Sequence, residues 1–245
     1  MEKTRLGLVG CGSRGRYLLR IFNDFEDVTL AAACDPFAES RQVTVDEFGI
    51  EEQYETVDEM LESSELDAVV VAPLANLNYE LALPCIERGV HVMIEKPPGL
   101  TSQETRHLRE TAARTGSKVL VGWNRRFHPV IVQARSLILE RGPIIQLVGE
   151  FHKNVRQPTR LADTMMDRLF LETPIHAVDT IRYLAASDVK EVHSIVRRVT
   201  SEYRDVHAAL IEFENGVVAQ LTHNYTAGGR LERYEIHGQD ISAYM

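Results

Sequence analysis

A glycine-rich turn near the amino terminus constrains this chain more than any other feature. An apolar run, residues 6–9, precedes the hexapeptide Gly-Cys-Gly-Ser-Arg-Gly at 10–15, and a helix-like run, residues 17–22, follows it. In the strand–turn–helix unit that binds dinucleotides, the first glycine permits the tight turn, the second lets the backbone approach a pyrophosphate, and the third allows close helix packing. The amino end of the helix then offers N–H groups and a positive dipole end to the phosphates. The predicted dinucleotide-binding residues of this turn are Gly10, Gly12, Ser13, Arg14 and Gly15.

A second apolar run, residues 28–34, supports this interpretation because it ends in an acid. Asp35 stands 20 residues beyond Gly15, where the dinucleotide fold places a carboxylate on the ribose hydroxyls. The alternative is a solvated acid at a strand end. A carboxylate there would repel the 2′-phosphate of NADP, so we predict NAD in preference to NADP. Arg41 is close enough in sequence to reduce the preference for NAD over NADP.

Composition places the chain among ordinary globular proteins. Its 245 residues are 44% hydrophobic and 26% charged, enough for one large or two ordinary domains. No apolar stretch has the length of a membrane span or the position of a secretory signal, so no membrane partner is expected. The net charge of −9 argues against a nucleic-acid partner. Three scattered cysteines indicate reduced packing residues, which favours a cytoplasmic protein.

The first half of the chain alternates short apolar runs with helical patterns, which is typical of a doubly wound parallel sheet. Thr56 with Glu59, and Thr101 with Glu104, fit capping boxes that begin helices between strands. We therefore expect a Rossmann domain over residues 1–123. Its predicted strands are residues 5–9, 28–34, 53–54, 67–72, 91–95 and 118–122.

Beyond Gly122 the pattern changes to long β-type runs, which indicates a second domain over residues 124–245. An amphipathic helix is predicted at 127–141 and another helix at 174–185, and Asn215-Gly216 is a strong hairpin signal. The expected fold is therefore α/β overall, with the Rossmann sheet followed by an α+β domain that has a largely antiparallel open sheet. Its predicted strands are residues 144–151, 192–200, 206–213, 217–225 and 234–238.

An open sheet with helices on one side only leaves its other face for a partner. This favours a homodimer or homotetramer formed through the carboxyl-terminal sheet. The sequence stops at 242–245, where another strand would begin, which indicates either an unusually short protein or a fragment lacking a carboxyl-terminal segment.

Ligands of a doubly wound sheet bind beyond the carboxyl ends of its strands, so residues that follow strands are candidates for the site. Pro73 and Asn78 follow the strand at 67–72, and Glu95 and Lys96 follow the strand at 91–95. Two prolines fix the backbone after Lys96, which would hold its ammonium near the switch point of the sheet. The alternative for Lys96 is an ordinary solvated lysine.

Four elements in this order resemble the Gfo/Idh/MocA oxidoreductases, the relatives of glucose–fructose oxidoreductase and inositol dehydrogenase. They are the glycine turn, the Cys34-Asp35 pair, the Glu-Lys-Pro element within 87–97, and the segment 121–129. The resemblance covers the whole chain and implies NAD-dependent hydride transfer at a secondary alcohol or ketone of a sugar or polyol. It also implies cofactor or substrate contacts for Asn124 and Arg125, whose alternative is an interdomain role.

The family's second catalytic element is an acid four residues before a histidine at a helix start, here Glu172 and His176. Thr173 is a good N-cap and Pro174 a good first helical residue, so His176 is expected in the first turn, where the positive helix end favours neutral imidazole. Asp179, one turn further, could orient the other ring nitrogen of His176.

The resemblance implies a catalytic set of Lys96, His176 and Glu172, and no metal ligand is assigned. Lys96 or His176 would accept the hydroxyl proton, Lys96 would also polarise the oxygen, and Glu172 would hold Lys96 or a substrate hydroxyl. The two proton-handling groups are expected to act as one unit across the domain interface. The alternative function is a catalytically silent dinucleotide or sugar sensor with the same fold.

The chain departs from the family pattern in three places. Glu172 stands where Asp is usual, Asn78 stands where many members have histidine, and residues 167–170 replace a common glycine pair. A further expectation concerns the segment 152–171, which carries four basic residues against two acids and is predicted to recognise an acidic or phosphorylated substrate group. A solvated loop is the alternative. The basic residues are Lys153, Arg156, Arg160 and Arg168.

Overall fold

The computed structural model describes residues 3–154, 171, 173–201 and 203–245. The chain divides into two compact units, Met1–Gly122 and Trp123–Met245. This division falls one residue before the boundary expected from the sequence. None of the helices in the described ranges has the length and apolarity needed to cross a bilayer.

The first unit is a doubly wound sheet of six parallel strands in the order β3-β2-β1-β4-β5-β6. This is the strand order of a dinucleotide-binding Rossmann fold, so the predicted fold class is confirmed. The sequence pattern identified all six strands to within one residue at each end. The strands are β1 Thr4–Val9, β2 Val28–Cys34, β3 Glu52–Tyr54, β4 Ala68–Val71, β5 His91–Ile94 and β6 Val119–Val121.

The helices of the first unit begin where the sequence supplies local caps. Both predicted capping boxes are present, Thr56 with Glu59 and Thr101 with Glu104, each with reciprocal side-chain and backbone hydrogen bonds. A 3₁₀ turn, Ala75–Leu77, precedes the fourth helix. The helices are α1 Ser13–Asn23, α2 Ala38–Phe48, α3 Val57–Ser63, α4 Asn78–Glu87 and α5 Ser102–Thr115.

The second unit is a six-stranded mixed sheet in the order β12-β11-β7-β10-β9-β8. Four of its pairings are antiparallel and one, β10 with β7, is parallel. Its helices are α6 Pro129–Leu139, which follows a 3₁₀ turn at Asn124–Phe127, and α7 Ile175–Ala185. The strands are β7 Ile144–Asn154, β8 Val189–Arg197, β9 Val206–Phe213, β10 Val218–Asn224, β11 Thr226–Gly238 and β12 Ile241–Tyr244.

Four strands of the second unit differ from expectation. β7 continues to Asn154 instead of ending at 151, and β8 lies at Val189–Arg197 instead of 192–200. β11 begins at Thr226 rather than at 234, because the Gly228-Gly229 pair weakens the β signal of its first half. The last residues form β12, which pairs antiparallel with β11.

One face of the second sheet packs against helices and the other carries exposed apolar side chains. Gly149 permits close packing of α7, since a Cβ there would lie 3.1 Å from Ile181 Cγ1. On the opposite face Ile195, Leu210 and Val218 are exposed. The helix-covered core includes Ile138, Leu147, Phe151, Leu184, Phe213, Leu221 and Ile236.

Candidate active site

The glycine turn of the first unit has the geometry that a bound dinucleotide requires. Gly10 adopts φ +94°, and a Cβ at this position would lie 2.7 Å from the backbone of Ala72 and Pro73. A Cβ on Gly15 would lie 2.0 Å from the Gly10 carbonyl oxygen, so only glycine lets α1 start this close to β1. The corresponding position on Gly12 meets nothing within 4 Å. The space beside Gly12 is therefore open to a ligand.

The amino end of α1 lies at this open space. Gly12 occupies the N-cap position, where no described side chain accepts a hydrogen bond from the first turn, and the helix begins at Ser13. The first N–H groups of a helix lack partners within the helix, so they are available to an anion.

Asp35, directly after β2, is hydrogen-bonded to the same turn. Its carboxylate accepts the backbone N–H of Cys11 and that of Phe37, each at 2.9 Å. Arg41 donates from Nη1 to the backbone oxygen of Asp35 at 2.5 Å. The acid predicted to meet the ribose is therefore oriented by the glycine turn.

Arg14, expected at the cofactor, forms an ion pair with Glu95 at the end of β5. Its Nε and Nη2 both lie 2.6 Å from Oε1 of Glu95, whose side chain is only 9% exposed. The other oxygen of Glu95, Oε2, accepts the backbone N–H of Lys96 at 3.2 Å. Glu95 thus links the glycine turn to the residue predicted to be catalytic.

Asn78 also contacts the segment that carries Lys96. Its buried Nδ2 donates to the carbonyl oxygens of Glu95, at 2.9 Å, and Pro97, at 2.7 Å. Because both partners are acceptors, the orientation of the amide is determined, and its oxygen faces away from them. That oxygen is buried and meets no hydrogen-bond donor within the described ranges.

In the second unit, His176 lies in the first turn of α7, as expected. The cap is shifted by one residue: Pro174 occupies the N-cap position and the helix begins at Ile175, so the prediction of Thr173 as N-cap is wrong. Pro174 still starts the α-helical hydrogen bonding, because its carbonyl accepts the N–H of Val178, four residues further on, at 3.1 Å. The indole of Trp123 meets the His176 ring edge-on, with ring centroids 6.2 Å apart.

Arg125 is held by an acid that the sequence did not suggest. Its Nε and Nη2 donate to the two carboxylate oxygens of Glu232, and Oε1 of Glu232 also accepts the hydroxyl of Tyr234 at 3.1 Å. Burial raises the pKa of Glu232, but the hydrogen bonds and charge of Arg125 outweigh burial, so the net pKa is lowered. When the His176 ring is protonated, its charge lowers the pKa of Glu232 further. Glu232 therefore stays ionised beside His176.

Arg126 and Asp179 form a second bidentate pair. Arg126 Nε donates to Oδ2 of Asp179 at 2.8 Å, and Nη2 donates to Oδ1. The pair joins the 3₁₀ turn to the first half of α7. The hypothesis that Asp179 orients His176 stays a prediction, and the contact observed for its carboxylate is with Arg126.

Several predicted residues lie outside the described ranges. Glu172 is one of them, and so are residues 155–170, which carry three of the four basic residues of the segment 152–171. Their proposed roles stay predictions.

Comparison with known proteins identifies the two units. Residues 4–123 match the model of an oxidoreductase family with an NAD-binding Rossmann fold, and residues 132–244 match the GFO/IDH/MocA C-terminal domain. The chain belongs to the Gfo/Idh/MocA family. The predicted family is thereby confirmed, and the first unit is its NAD-binding domain.

Individual relatives of this Gfo/Idh/MocA chain are longer than it is. The rhizopine catabolism protein MocA of Rhizobium meliloti is 31% identical over 190 residues, which cover 77% of this chain and 59% of MocA. The scyllo-inositol 2-dehydrogenase (NAD(+)) of Bacillus subtilis is 26% identical and is matched over 74% of its length by 100% of this chain. A dehydrogenase of Chromobacterium violaceum, of known structure, superposes with a TM-score of 0.91 at 25% identity, over 100% of this chain and 72% of that one.

The residues of this Gfo/Idh/MocA chain fit NAD. Gly12 leaves a cradle that a Cβ would fill, the amino end of α1 offers N–H groups, and Asp35 is oriented at the end of β2. The buried amide oxygen of Asn78 is an acceptor of the kind that a carboxamide N–H requires. The guanidinium of Arg14 pairs with Glu95, and the assignment of Arg14 to the cofactor stays a prediction.

Three cysteines of the family domain are packing residues, as predicted. Cys11, Cys34 and Cys85 are free and buried. Burial raises the pKa of the Cys11 thiol to about 11 and the pKa values of Cys34 and Cys85 to about 12. The thiols are therefore protonated at neutral pH and unreactive.

Glu232 and His223 were not identified from the sequence. They share a row across the sheet, because Phe151 of β7 pairs with Glu232 on one side and His223 on the other. His223 is buried and hydrogen-bonded to the Phe151 carbonyl, and burial lowers its pKa to about 3. Alternation along 232, 234 and 236 was the available signal, since the buried Tyr234 and Ile236 place Glu232 on the helix-covered face.

Proposed function

We propose that the protein containing this chain is an NAD-dependent dehydrogenase. It transfers a hydride between the nicotinamide and a secondary alcohol or ketone of a sugar, polyol or sugar derivative. The observation that carries the proposal is the anchored Lys96 segment at the carboxyl end of β5, in the same unit as an open glycine turn. The relatives named scyllo-inositol 2-dehydrogenase and D-apiose dehydrogenase support a polyol or sugar as the substrate class.

The first unit holds the cofactor in this proposal. The N–H groups at the start of α1 bind the pyrophosphate, and the Asp35 carboxylate accepts hydrogen bonds from the ribose hydroxyls. NAD, when bound, supplies the nicotinamide ring that exchanges hydride with the substrate carbon. Asp35 disfavours NADP, because a 2′-phosphate would approach a like-charged carboxylate that two backbone N–H groups hold in place.

Proton handling is assigned to Lys96 and His176. The Lys96 ammonium polarises the substrate oxygen, and Lys96 or His176 takes the hydroxyl proton as the carbonyl forms. The first-turn position of His176 favours neutral imidazole, as a proton acceptor requires. Positioned proton transfer of this kind contributes about 10²–10⁴ in rate. Glu172 is proposed to orient this pair or a substrate hydroxyl.

The remaining predictions follow from charge and exposure. Arg125 is neutralised by Glu232, which suits contacts with uncharged hydroxyls, while the basic segment 152–171 is proposed to meet any acidic group of the substrate. The exposed apolar face that includes Ile195, Leu210 and Val218 favours a homodimer or homotetramer. Free buried thiols fit a reducing compartment, so we assign the protein to the cytoplasm.

A fluorescence assay tests the proposed function. The protein is mixed with NAD and a panel of cyclic polyols, aldoses and nucleotide sugars, and NADH formation is followed. The proposal predicts turnover of at least one cyclic polyol or sugar. Tight NAD binding without turnover across the panel would contradict it and favour the sensor.

A further inference from the structure

The Arg14–Glu95 ion pair joins two parts of the first unit that are 81 residues apart in sequence. Arg14 lies inside the glycine turn, between Gly12 and Gly15, and Glu95 is the residue before Lys96. The pair therefore connects the segment that faces the pyrophosphate to the segment that carries the proton-handling lysine.

Because the Glu95 carboxylate is buried, loss of its ion pair with Arg14 would be energetically unfavourable. The Glu95 side chain is 9% exposed, whereas that of Arg14 is 43% exposed. A buried carboxylate without a cation or donors pays a large desolvation penalty, while a half-exposed guanidinium can be solvated. Glu95 therefore depends on Arg14 more than Arg14 depends on Glu95.

The Glu95 carboxylate that pairs with Arg14 also contacts the backbone of Lys96. Its second oxygen accepts the Lys96 N–H, and the Asn78 amide holds the carbonyls of Glu95 and Pro97 on either side. A shift of Arg14 would change the position of the Glu95 carboxylate and, with it, the backbone of Lys96.

We propose that Arg14 and Glu95 are positioning residues that couple cofactor binding at the glycine turn to the placement of Lys96. This inference rests on the proposed function for the role of Lys96, but the coupling itself does not. Arg14 thus acts through Glu95, and its main effect is on the chemical step rather than on NAD affinity.

Arg14→Met tests the coupling, and Arg20→Met is the matched control. Arg20 lies on the same helix, and its Nε and Nη2 also lie 2.6 Å from a single carboxylate oxygen, that of Glu47 on α2. Three quantities are measured on the whole protein: the NAD dissociation constant by calorimetry, kcat and KM for a polyol, and the hydrogen-exchange rate of the Lys96 amide. Pro97 and Pro98 have no amide hydrogen, which simplifies the exchange measurement.

The proposal predicts that Arg14→Met lowers kcat by about tenfold or more, since small misplacements of catalytic groups cost this much. KM and NAD affinity change little. With NAD bound, the Lys96 amide of the variant exchanges faster than that of the wild type. Arg14→Lys keeps the positive charge but loses the contact made by two nitrogens. It is therefore expected to retain part of the wild-type kcat and part of the protection of the Lys96 amide from exchange. It also serves as the test variant if Arg14→Met does not fold. Arg20→Met matches the wild type in all three quantities.

Two results would overturn the proposal. Weaker NAD binding with unchanged kcat and unchanged Lys96 exchange would make Arg14 a direct phosphate ligand. Arg14→Met behaving like Arg20→Met would leave the pair without a positioning role. If the wild type turns over no substrate, the proposed function fails, and NAD-dependent exchange of the Lys96 amide still decides whether the coupling exists.

Discussion

Arg125 and Glu232 are joined by two hydrogen bonds, Nε to Oε1 at 2.8 Å and Nη2 to Oε2 at 2.9 Å. Both side chains are about four-fifths buried. The pair fixes the 3₁₀ turn Asn124–Phe127 to β11 in the second unit, beside the helix turn that carries His176. Its energetics therefore bear on the geometry of that site.

Glu232→Gln is expected to lower the free energy of unfolding by roughly 1–3 kcal/mol, because the variant loses a charge-assisted bidentate contact. The folded-state pKa of Glu232 lies below its ordinary value of 4.5, so its stabilisation is present above that value and is lost as pH falls through the folded pKa. Urea unfolding at a series of acidic pH values measures this. The difference in unfolding free energy between wild type and variant should shrink as the pH falls below 4.5, the ordinary pKa of the group.

Asp188→Asn is the control for that prediction. It breaks the Arg182–Asp188 pair of the same unit, whose side chains are 62% and 83% exposed. Exposed pairs contribute about 0–1 kcal/mol, so little change is expected. Equal losses in the two variants would contradict a special role for Glu232.

The Arg126–Asp179 pair predicts an asymmetry between its two partners. The Asp179 side chain is 10% exposed and that of Arg126 is 37% exposed. Arg126→Met strands a buried carboxylate, with a cost of roughly 2–4 kcal/mol, whereas Asp179→Asn leaves a guanidinium that water can reach. Chemical denaturation should find Arg126→Met the less stable variant. The reverse order would show that the carboxylate is solvated without its partner.

Substitutions at two glycines of the turn are expected to affect different properties, one the stability of the fold and the other the affinity for NAD. Gly15→Ala places a Cβ 2.0 Å from the Gly10 carbonyl oxygen and should destabilise the first unit by about 3 kcal/mol or more. Gly12→Ala meets no protein atom within 4 Å, so the protein should fold normally but bind NAD at least about tenfold more weakly. Thermal unfolding and calorimetry distinguish the two. If Gly12→Ala bound NAD as tightly as the wild type, the pyrophosphate would not lie beside Gly12.

Asp35 is expected to determine cofactor preference. Asp35→Asn removes the charge that repels the NADP 2′-phosphate and keeps an oxygen for one backbone N–H. We expect the ratio of NADP to NAD affinity to rise by about tenfold or more, as loss of a close like charge implies. Calorimetric titration with both cofactors measures the ratio. Wild-type protein that binds NADP as tightly as NAD would contradict the preference.

Local sequence signals predicted structure well where the determinants are close in the chain. The capping boxes at Thr56 and Thr101 and the β2 strand formed as expected, since their partners lie within a few residues or along one apolar run. The start of β11 was missed because its pairing with β7 overrides the weak β propensity of two glycines.

The sequence indicated several of the residues that belong to the candidate site, but it did not indicate which side chains contact one another there. Arg14 was assigned to the cofactor and pairs with Glu95, and Arg126, not assigned any role, holds Asp179 from 53 positions away. Spacing along a helix suggested a contact between Asp179 and His176. Contacts between distant segments are set by how strands and helices pack, which no local pattern records.

Lys96 and His176 are proposed to handle the same proton. Steady-state turnover of Lys96→Met, His176→Ala and the double variant, on a substrate turned over by the wild type, tests it most directly. Each single replacement should lower kcat by about 10²–10⁴ with little loss of NAD affinity. The double variant should lose less than the product of the single effects, because the proposal assigns both groups to one proton transfer. Glu172→Gln should be milder if Glu172 only orients the pair. Near-wild-type turnover in either single variant would remove that residue from the mechanism, and in both it would exclude proton handling by this pair.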